Sequence, residues 1–260
     1  MPRTLWTGAS GMSAQQTNVD VIANNIANVN TNGFKKQRVN FQDLFYDTVV
    51  APGTRVGDEG VNPAGIQVGN GVKVSNTPRI FSNGNIEVTG IESNVAIEGD
   101  GFFRVSMPDG AEAYSRAGDF RIDANGNLVT PDGYYLEPRI TVPDNIEQLS
   151  IGPTGVVSVL QDGNQSDIGQ ITLTRFRNPT GLVGLGRNLF QETQASGPPE
   201  EGTPLEPGYG ALRGGALEKG NVDVVVELVN LIAAQRAYEL NTRTITTADE
   251  MLQTANEIAR

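Results

Sequence analysis

Both extremities of the chain are stretches in which apolar residues return at every seventh position. Near the start, Leu5, Met12, Val19 and Ile26 are seven apart, and Ile22 and Val29 follow the last two by three. At the far end, Val224, Leu231, Tyr238, Ile245 and Leu252 keep the same interval. Ala234, Ala248 and Ala255 stand three residues after members of that row, with Asn241 in the remaining place, and Val225, Leu228 and Ile232 widen the apolar face early on. A sustained seven-residue repeat predicts helices with a narrow apolar seam, and such a seam is stable only when another helix covers it. No Gly or Pro interrupts residues 221–260, so a helix of about 36 residues could reach roughly 54 Å. Asn221 reads as its N-cap, with Asp223 in the first turn where the helix dipole favours an anion. The first helix meets a stop signal at Asn30-Thr31-Asn32-Gly33.

The polar flanks carry a second expectation. Asn24, Asn25 and Asn28 in the first helix, and Gln235 and Arg236 in the last, are placed to make polar contacts between helices. Asparagine is a mediocre helix former because its amide competes for backbone groups. For any single Asn, a place on a wet face is the favoured reading. The ends therefore predict either a larger bundle of several copies or an intramolecular hairpin with a solvated outer face.

The residues between the ends are of another kind. All but one of the 14 prolines lie within 37–220, as do most of the 31 glycines. The same stretch holds 13 basic and 23 acidic residues, and so carries nearly all of the net charge of −11. From about residue 70, short apolar or alternating runs are broken by tight-turn pairs: Asn83-Gly84, Asp109-Gly110, Asn125-Gly126, Asp132-Gly133 and Asp162-Gly163. These are hairpin signals, and runs such as Phe102-Phe103-Arg104-Val105 and Val156 to Leu160 between them are rich in strand formers. The predicted class is α+β: long N- and C-terminal helices pairing as a coiled-coil-like bundle, with a central antiparallel β-rich domain. The expected organisation is a terminal helix over 1–34, an extended connector over 35–71 and a β domain over 72–200. A return connector over 201–220, read as loop, then leads to the last helix over 221–260. Phe41, Leu44, Phe45 and Val49 form a short amphipathic element, and 51–71 is Gly/Pro-rich without core periodicity, the type of long loop that is functional or disordered.

Composition removes whole classes of chemistry. The chain has neither cysteine nor histidine. Disulfides, thiolate nucleophiles and imidazole ligands or bases are therefore excluded. An acidic chain lacks the clustered basic surface of a general nucleic-acid binder. Asp123 to Asn127 has a slight likeness to a calcium loop, but Arg121 occupies an acidic position and no Glu closes it, so a turn is the better reading. The glycines of 181–186 are not followed by a helix, which argues against a phosphate cradle. No apolar window approaches the length of a membrane span or of a secretory signal, so no membrane insertion is expected.

Ala9-Ser10-Gly11-Met12-Ser13-Ala14-Gln15-Gln16, Val21 to Asn28, and Thr31-Asn32-Gly33-Phe34-Lys35 together resemble the N-terminal signature of bacterial flagellar rod and hook proteins. Glu227 to Ile232, with Gln235-Arg236-Ala237-Tyr238-Glu239, resembles the other end of that family. Gly99-Asp100-Gly101-Phe102-Phe103 and Tyr114 to Phe120 look like its central motifs. The resemblance covers the whole chain in order. Length, and the run Phe41 to Asp47 leading into 51–71, point within the family to the distal rod. Gly220 where Ser is common, and Asn241-Thr242-Arg243 in place of a more frequent Asn-Ser-Lys, are small departures.

The resemblance implies an axial structural protein rather than an enzyme, without cofactors. Its terminal helices would form inner layers of a self-assembling tube around a channel, with the β domain outside. Implied partners are further copies of the chain, proximal rod proteins, the hook protein, the P- and L-ring proteins and the flagellar type III export apparatus, with no nucleic acid. The location implied is the periplasm-spanning rod of the basal body, reached without a cleavable signal peptide. The tube would transmit torque to the hook. Assembly contacts are expected from Leu5, Met12, Val19, Ile22, Ile26, Val29, Val224, Leu228, Leu231, Tyr238, Ile245 and Leu252. A hook or proximal-rod subunit is the alternative within the family. A secreted β-domain hydrolase or binding module that oligomerises through its termini is the alternative outside it.

Overall fold

The computed structural model describes residues 3–53, 55–56, 60–61, 63–161 and 163–258. Two compact units emerge, each assembled from separated pieces of chain. A helical unit takes residues 1–26, 37–78 and 224–260, and a β unit takes 27–36 and 79–223.

In the helical unit, α1 (Arg3–Ala27) and α2 (Val224–Ile258) run antiparallel. Contacts descend along one helix as they ascend along the other. Gly8 lies against Ile245, Gly11 against Asn241, the Thr242 hydroxyl oxygen lies 3.3 Å from Met12 Sδ, and Asn25 Nδ2 reaches Glu227 Oε2 at 3.5 Å. A Cβ on Gly8 would stand 2.7 Å from Ile245 Cγ1, and one on Gly11 would stand 2.9 Å from the Asn241 amide. Both glycines are thus needed for the close approach of the helices. The hydroxyls of Thr17, Thr242, Thr244 and Thr254 each donate to the carbonyl four residues earlier, which keeps them compatible with a helix interior.

The expected connector is not a single extended strand. Asn40–Asp43 pairs with Val72–Asn76, Tyr46–Val50 with Ile66–Gly69, and Arg55–Val56 with Gly60–Val61, all antiparallel. The stretch therefore doubles back on itself as one long two-stranded ribbon, and Phe41 and Val49 belong to its strands. Tyr46-Asp47-Thr48-Val49-Val50 contains strand formers but no period of two, so the amphipathic reading of Phe41, Leu44, Phe45 and Val49 left the pairing open. Of the segment 51–71, residues 54, 57–59 and 62 lie outside the described residues.

The β unit is built on a seven-stranded antiparallel sheet. Its order is Arg121–Ile122, Leu128–Val129, Tyr135–Glu137, Phe103–Ser106, Glu112–Ser115, Leu189–Gln191 and Val183–Gly186. A meander of Gln148–Ile151, Val156–Gln161 and Asn164–Gln170 lies in the same unit. Side chains alternate across a strand, so consecutive phenylalanines enter different cores. Phe103 joins Val95, Ile97, Phe120, Leu136, Val157 and Leu173. Phe102 joins Tyr114, Phe176, Leu182 and Phe190 in a second cluster of edge-to-face rings. Such ring pairs add about 0.5–1.5 kcal/mol each beyond area burial.

The turn signals at Asp109-Gly110, Asn125-Gly126 and Asp132-Gly133 close hairpins as expected, each glycine at positive φ. Asp123 Oδ1 accepts from the backbone N–H of both Asn125 and Asn127 at 2.8 Å. These bonds hold its carboxyl below the usual range and make the loop an Asx turn. Asp162 lies outside the described residues, although the strands on either side pair from Gln161 to Asn164. Two expectations are corrected. Asn83-Gly84 is not a hairpin turn, because Gly84 is pinned by Glu218 instead. The Gly/Pro-rich return is not all loop. Glu200–Gly202 pairs with Leu173–Arg175, Ala211–Gly214 with Val95–Glu98, and Ala216–Glu218 with Ile86–Val88. Those short strands draw their pairing from partners distant in sequence, which local composition does not reveal.

Candidate functional site: an outward apolar surface and a buried charge cluster

The buried line between α1 and α2 is rich in small residues, with Ile22, Asn25 and Glu227 set among them. Gly8, Gly11, Ala14, Ile22 and Asn25 are buried on α1, and Glu227, Ala234 and Ala248 on α2. The α2 row is still spaced by seven, with Asn241 half-buried in the gap, but it is the row three residues after the large apolar one. The large side chains therefore flank the contact or face away from it. Leu5, Met12, Val19, Ile26, Leu231 and Ile245 are half-buried and Ile22 is buried, whereas Val224, Leu228, Tyr238 and Leu252 are exposed. Val29 is not helical at all. The chain leaves α1 at Ala27 and turns, with Thr31 N–H donating to Asn28 O at 3.0 Å and its hydroxyl to Asn28 Oδ1 at 3.2 Å.

The polar residues divide too. Asn25 clamps the backbone of Gln37, accepting its N–H at 2.9 Å and donating to its carbonyl at 2.8 Å, besides approaching Glu227. Gln235 lines a groove of about 340 Å³ with Gln16, Val19, Tyr238 and Glu239. Asn24 and Arg236 are exposed and Asn28 is half-buried in the turn. Asn221 is not the N-cap of α2. Its amide accepts from Lys36 N–H at 2.8 Å and donates to Ile80 O at 2.8 Å and to Ser82 O at 3.1 Å, so α2 starts only at Val224.

The helical unit leaves a great deal of apolar surface outside. Val225 is 71% exposed, Leu240 64% and Ile258 81%, with Val229, Ile232 and Met251 also exposed on α2. On α1 the sole tryptophan, Trp6, is exposed, and on the ribbon Phe45 is 91% exposed beside Tyr46, Val49 and Ile66. Single exposed apolar residues are ordinary, but a whole element of them marks an interaction surface. A two-stranded ribbon is itself marginal without a covering layer.

Inside the β unit lies a charge cluster that the sequence patterns missed. Glu218 is fully buried and receives three hydrogen bonds and a further ion-pair contact. Oε1 accepts from Lys35 Nζ at 2.7 Å and Gly84 N–H at 2.8 Å, Oε2 accepts from Arg116 Nε at 3.0 Å, and Arg116 Nη2 lies 2.9 Å from Oε2. Lys35 Nζ also donates to Ser82 O at 2.8 Å, and Arg116 Nη1 to Gly99 O and Gly101 O. Burial, and then the neighbouring Arg116, push the Lys35 ammonium down to about 8, against the pull of Glu218. Burial likewise lowers Arg116, with Glu218 opposing. Gly33, at φ 68°, brings its backbone onto Arg116 and Ala117, where a Cβ would stand 2.5 Å from Ala117 N. The residues Gly33, Lys35, Gly99, Gly101 and Arg116 all lie in the motifs that suggested the family, so a single knot in the fold accounts for three of them.

A helical pair rich in small buried residues that leaves large apolar side chains exposed, in a chain whose β unit is knotted by buried charge, defines the class of structural subunits that other protein covers. Residues 5–35 match the family described as "Flagella basal body rod protein", residues 96–159 match "Flagellar hook protein FlgE/F/G D1 domain", and residues 213–258 match "Flagellar basal body rod FlgEFG protein C-terminal". The flagellar basal-body rod protein FlgG of Borreliella burgdorferi is 48% identical across all of both chains. That of Buchnera aphidicola from Acyrthosiphon pisum is 46% identical over 98% of this chain and 99% of its own. The hook protein FlgE of Helicobacter mustelae is 45% identical, but over only 53% of this chain and 30% of its own. The chain belongs to the flagellar basal-body rod family, and it is a structural rod subunit of the FlgG type. No helix among the described residues is long and apolar enough to cross a membrane.

Proposed function

We propose that the helical unit is the assembly unit of a helical homopolymer, in which α1 and α2 pack as coiled-coil-like inner layers and the β unit lies outside. The carrying observation is the run of exposed apolar side chains along α2 and the ribbon, which water cannot be the intended neighbour of. Fully burying one such side chain contributes about 1.5–3 kcal/mol, so covering even part of the 17 exposed on these elements among the described residues outweighs the ordering of a subunit as it docks. The charge distribution agrees, because the ends that stack carry almost none of the net −11.

The tube so formed acts as a drive shaft with no reaction to perform. It takes proximal rod proteins below it and the hook protein above it, and the P and L rings around its acidic outside. Subunits reach it through the flagellar type III export apparatus without a cleavable signal peptide. The ribbon reaches between neighbouring subunits and stiffens the wall. The terminal segments 1–34 and 221–260 are the axial part of the subunit, 35–71 and 201–220 its connectors and 72–200 its β body.

The test is electron microscopy of the purified full-length chain. Wild type forms helical filaments, whereas Leu228→Asp and Tyr238→Asp remain monomeric with an unchanged β unit. Normal filaments from both variants would remove the helical unit from the interface. Filaments that form without any hindrance but bend as freely when 51–71 is deleted would remove the ribbon's role.

A further inference from the structure

The sequence contains four Asn-Gly bonds, at 32–33, 70–71, 83–84 and 125–126. In such a pair the glycine nitrogen can attack the asparagine side-chain amide carbon, because no Cβ shields it. The new N–C bond closes a five-membered imide, the amide nitrogen leaves as ammonia with the proton shed by the glycine nitrogen, and water then opens the ring to aspartate or isoaspartate. An N–H held by an acceptor is withheld from that attack.

Two of the four nucleophiles are held by one residue. Gly33 N–H donates to the Glu218 carbonyl at 2.8 Å, and Gly84 N–H donates to the Glu218 carboxylate at 2.8 Å. The electrophiles are restrained as well. Asn83 Oδ1 accepts from Arg116 Nη2 at 3.1 Å, which holds the amide in place although it polarises the carbonyl, so protection there rests on the held glycine nitrogen; Asn32 Oδ1 is buried with no donor to activate its carbonyl. Gly126 N–H is engaged more weakly, across its turn, by Asp123 O at 3.1 Å. Gly71 N–H alone has no acceptor among the described residues. It sits at φ 107° in the half-buried link between Ile66–Gly69 and Val72–Asn76, packed on Ser10.

We propose that Asn70 is the chain's deamidation site, and that Glu218 guards Asn32 through its backbone carbonyl and Asn83 through its side chain. The modification adds a negative charge, and in the isoaspartyl form a main-chain carbon, to the ribbon where it meets α1. It therefore falls within the helical unit that carries the exposed apolar surface.

Unpolymerised full-length chain is aged in mildly alkaline buffer and mapped by peptide mass spectrometry with enzymatic isoaspartate detection, in parallel with chain held unfolded in urea. Unfolded, all four sites react at similar rates. Folded, Asn70 keeps most of that rate, Asn125 is slower, and Asn32 and Asn83 fall by roughly tenfold to a hundredfold, the protection a charge-assisted or buried backbone bond provides. Reaction at Asn32 or Asn83 as fast as at Asn70 in the folded chain overturns the proposal, and so does an inert Asn70. Glu218→Ala separates the two guards. If it folds, Asn83 opens while Asn32 stays closed, and opening of Asn32 alone contradicts the assignment. If it fails to fold, both sites open together, and the wild-type folded-to-unfolded ratios decide the matter.

Discussion

Glu218→Gln removes one charge and almost no volume, and its consequence can be worked from the cluster's geometry. The carboxylate accepts two bonds at one oxygen and one at the other, two of the three from cationic groups, with Arg116 Nη2 a further 2.9 Å ion-pair contact. A glutamine offers one acceptor oxygen and turns an NH2 donor toward whichever cation faces the other end. Either Lys35 or Arg116 then loses its partner, in a place where both side chains are buried. Leaving a buried charge unpaired by removing its partner costs about 3–5 kcal/mol, a large part of the roughly 5–15 kcal/mol by which a domain is stable. Lys35→Met is milder, because Arg116 and Glu218 still balance one to one, and what is forfeited is the Lys35 bond to Glu218 and the one to Ser82. Since the two positions share a contact, the double variant is expected to be less destabilised than the sum of the single ones, by about 0.5–3 kcal/mol. Urea unfolding followed by far-UV circular dichroism, with slopes compared so that only midpoint shifts are read as stability, measures all three. A Glu218→Gln midpoint within about 1 kcal/mol of wild type would refute the view that this knot holds the β unit together.

Three further outcomes are expected. Lys35 is protonated in the unfolded chain up to its ordinary value but only to about 8 when folded. Its contribution to stability is therefore fully present above 10.5, and is lost as pH falls toward 8. Stability should rise by on the order of 2 kcal/mol between pH 8 and 10. Above that window Tyr114, kept protonated by burial and by Glu112, reverses the trend. Urea midpoints at the two pH values should differ in wild type and much less in Lys35→Met, and equal slopes would contradict the assignment. Gly33→Ala forces a side chain into the left-handed region and against Ala117 N, and is expected to cost at least about 1–3 kcal/mol in the same unfolding assay. Finally, α2 buries only Glu227, Ala234 and Ala248, too little to offset roughly 1–2 kcal/mol per residue of backbone ordering. Circular dichroism of the dilute monomer should show less helix than α1 and α2 contain together, with the remainder appearing on polymerisation; full helicity in the monomer would refute this.

The two helices, the antiparallel β centre and three of the hairpins were legible in sequence because each is written in a local period or a turn pair. Seven-residue spacing revealed that α1 and α2 need partners, but not which of two parallel rows meets which. Large apolar side chains draw the eye, yet Gly8 and Gly11 let the helices approach so closely that the small row becomes the contact and Leu228 and Tyr238 face out. Asn221 carries the chemistry of a cap, and its amide is spent on Lys36, Ile80 and Ser82, distant partners that outcompete the local role. Short strands such as Ala211–Gly214 have no pattern of their own and exist because Val95–Glu98 is there to pair with.

The charge cluster was illegible for a different reason: nothing about Lys35, Arg116 or Glu218 singles out a residue to be buried, and all three types are ordinarily surface residues. Their burial becomes intelligible only from the pieces they join. Lys35 follows α1, Glu218 precedes α2, and Arg116 comes from the middle of the β unit. The two ends of a chain whose centre is well over a hundred residues long must be brought together if α1 and α2 are to leave side by side. An apolar contact there would be as stable, since buried ion pairs are often matched by hydrophobic groups of the same volume. What three directed bonds to one carboxylate add is register. A leucine in place of Glu218 tolerates a slip of either strand, whereas a carboxylate that must meet Lys35, Gly84 and Arg116 at once does not. A Lys35→Met, Arg116→Leu, Glu218→Leu triple variant is therefore expected to retain urea stability within about 2 kcal/mol of wild type. Yet its filaments should be irregular in diameter and pitch by electron microscopy. Regular filaments from a stable triple variant would show that the knot sets stability alone and not the geometry with which the helices are presented.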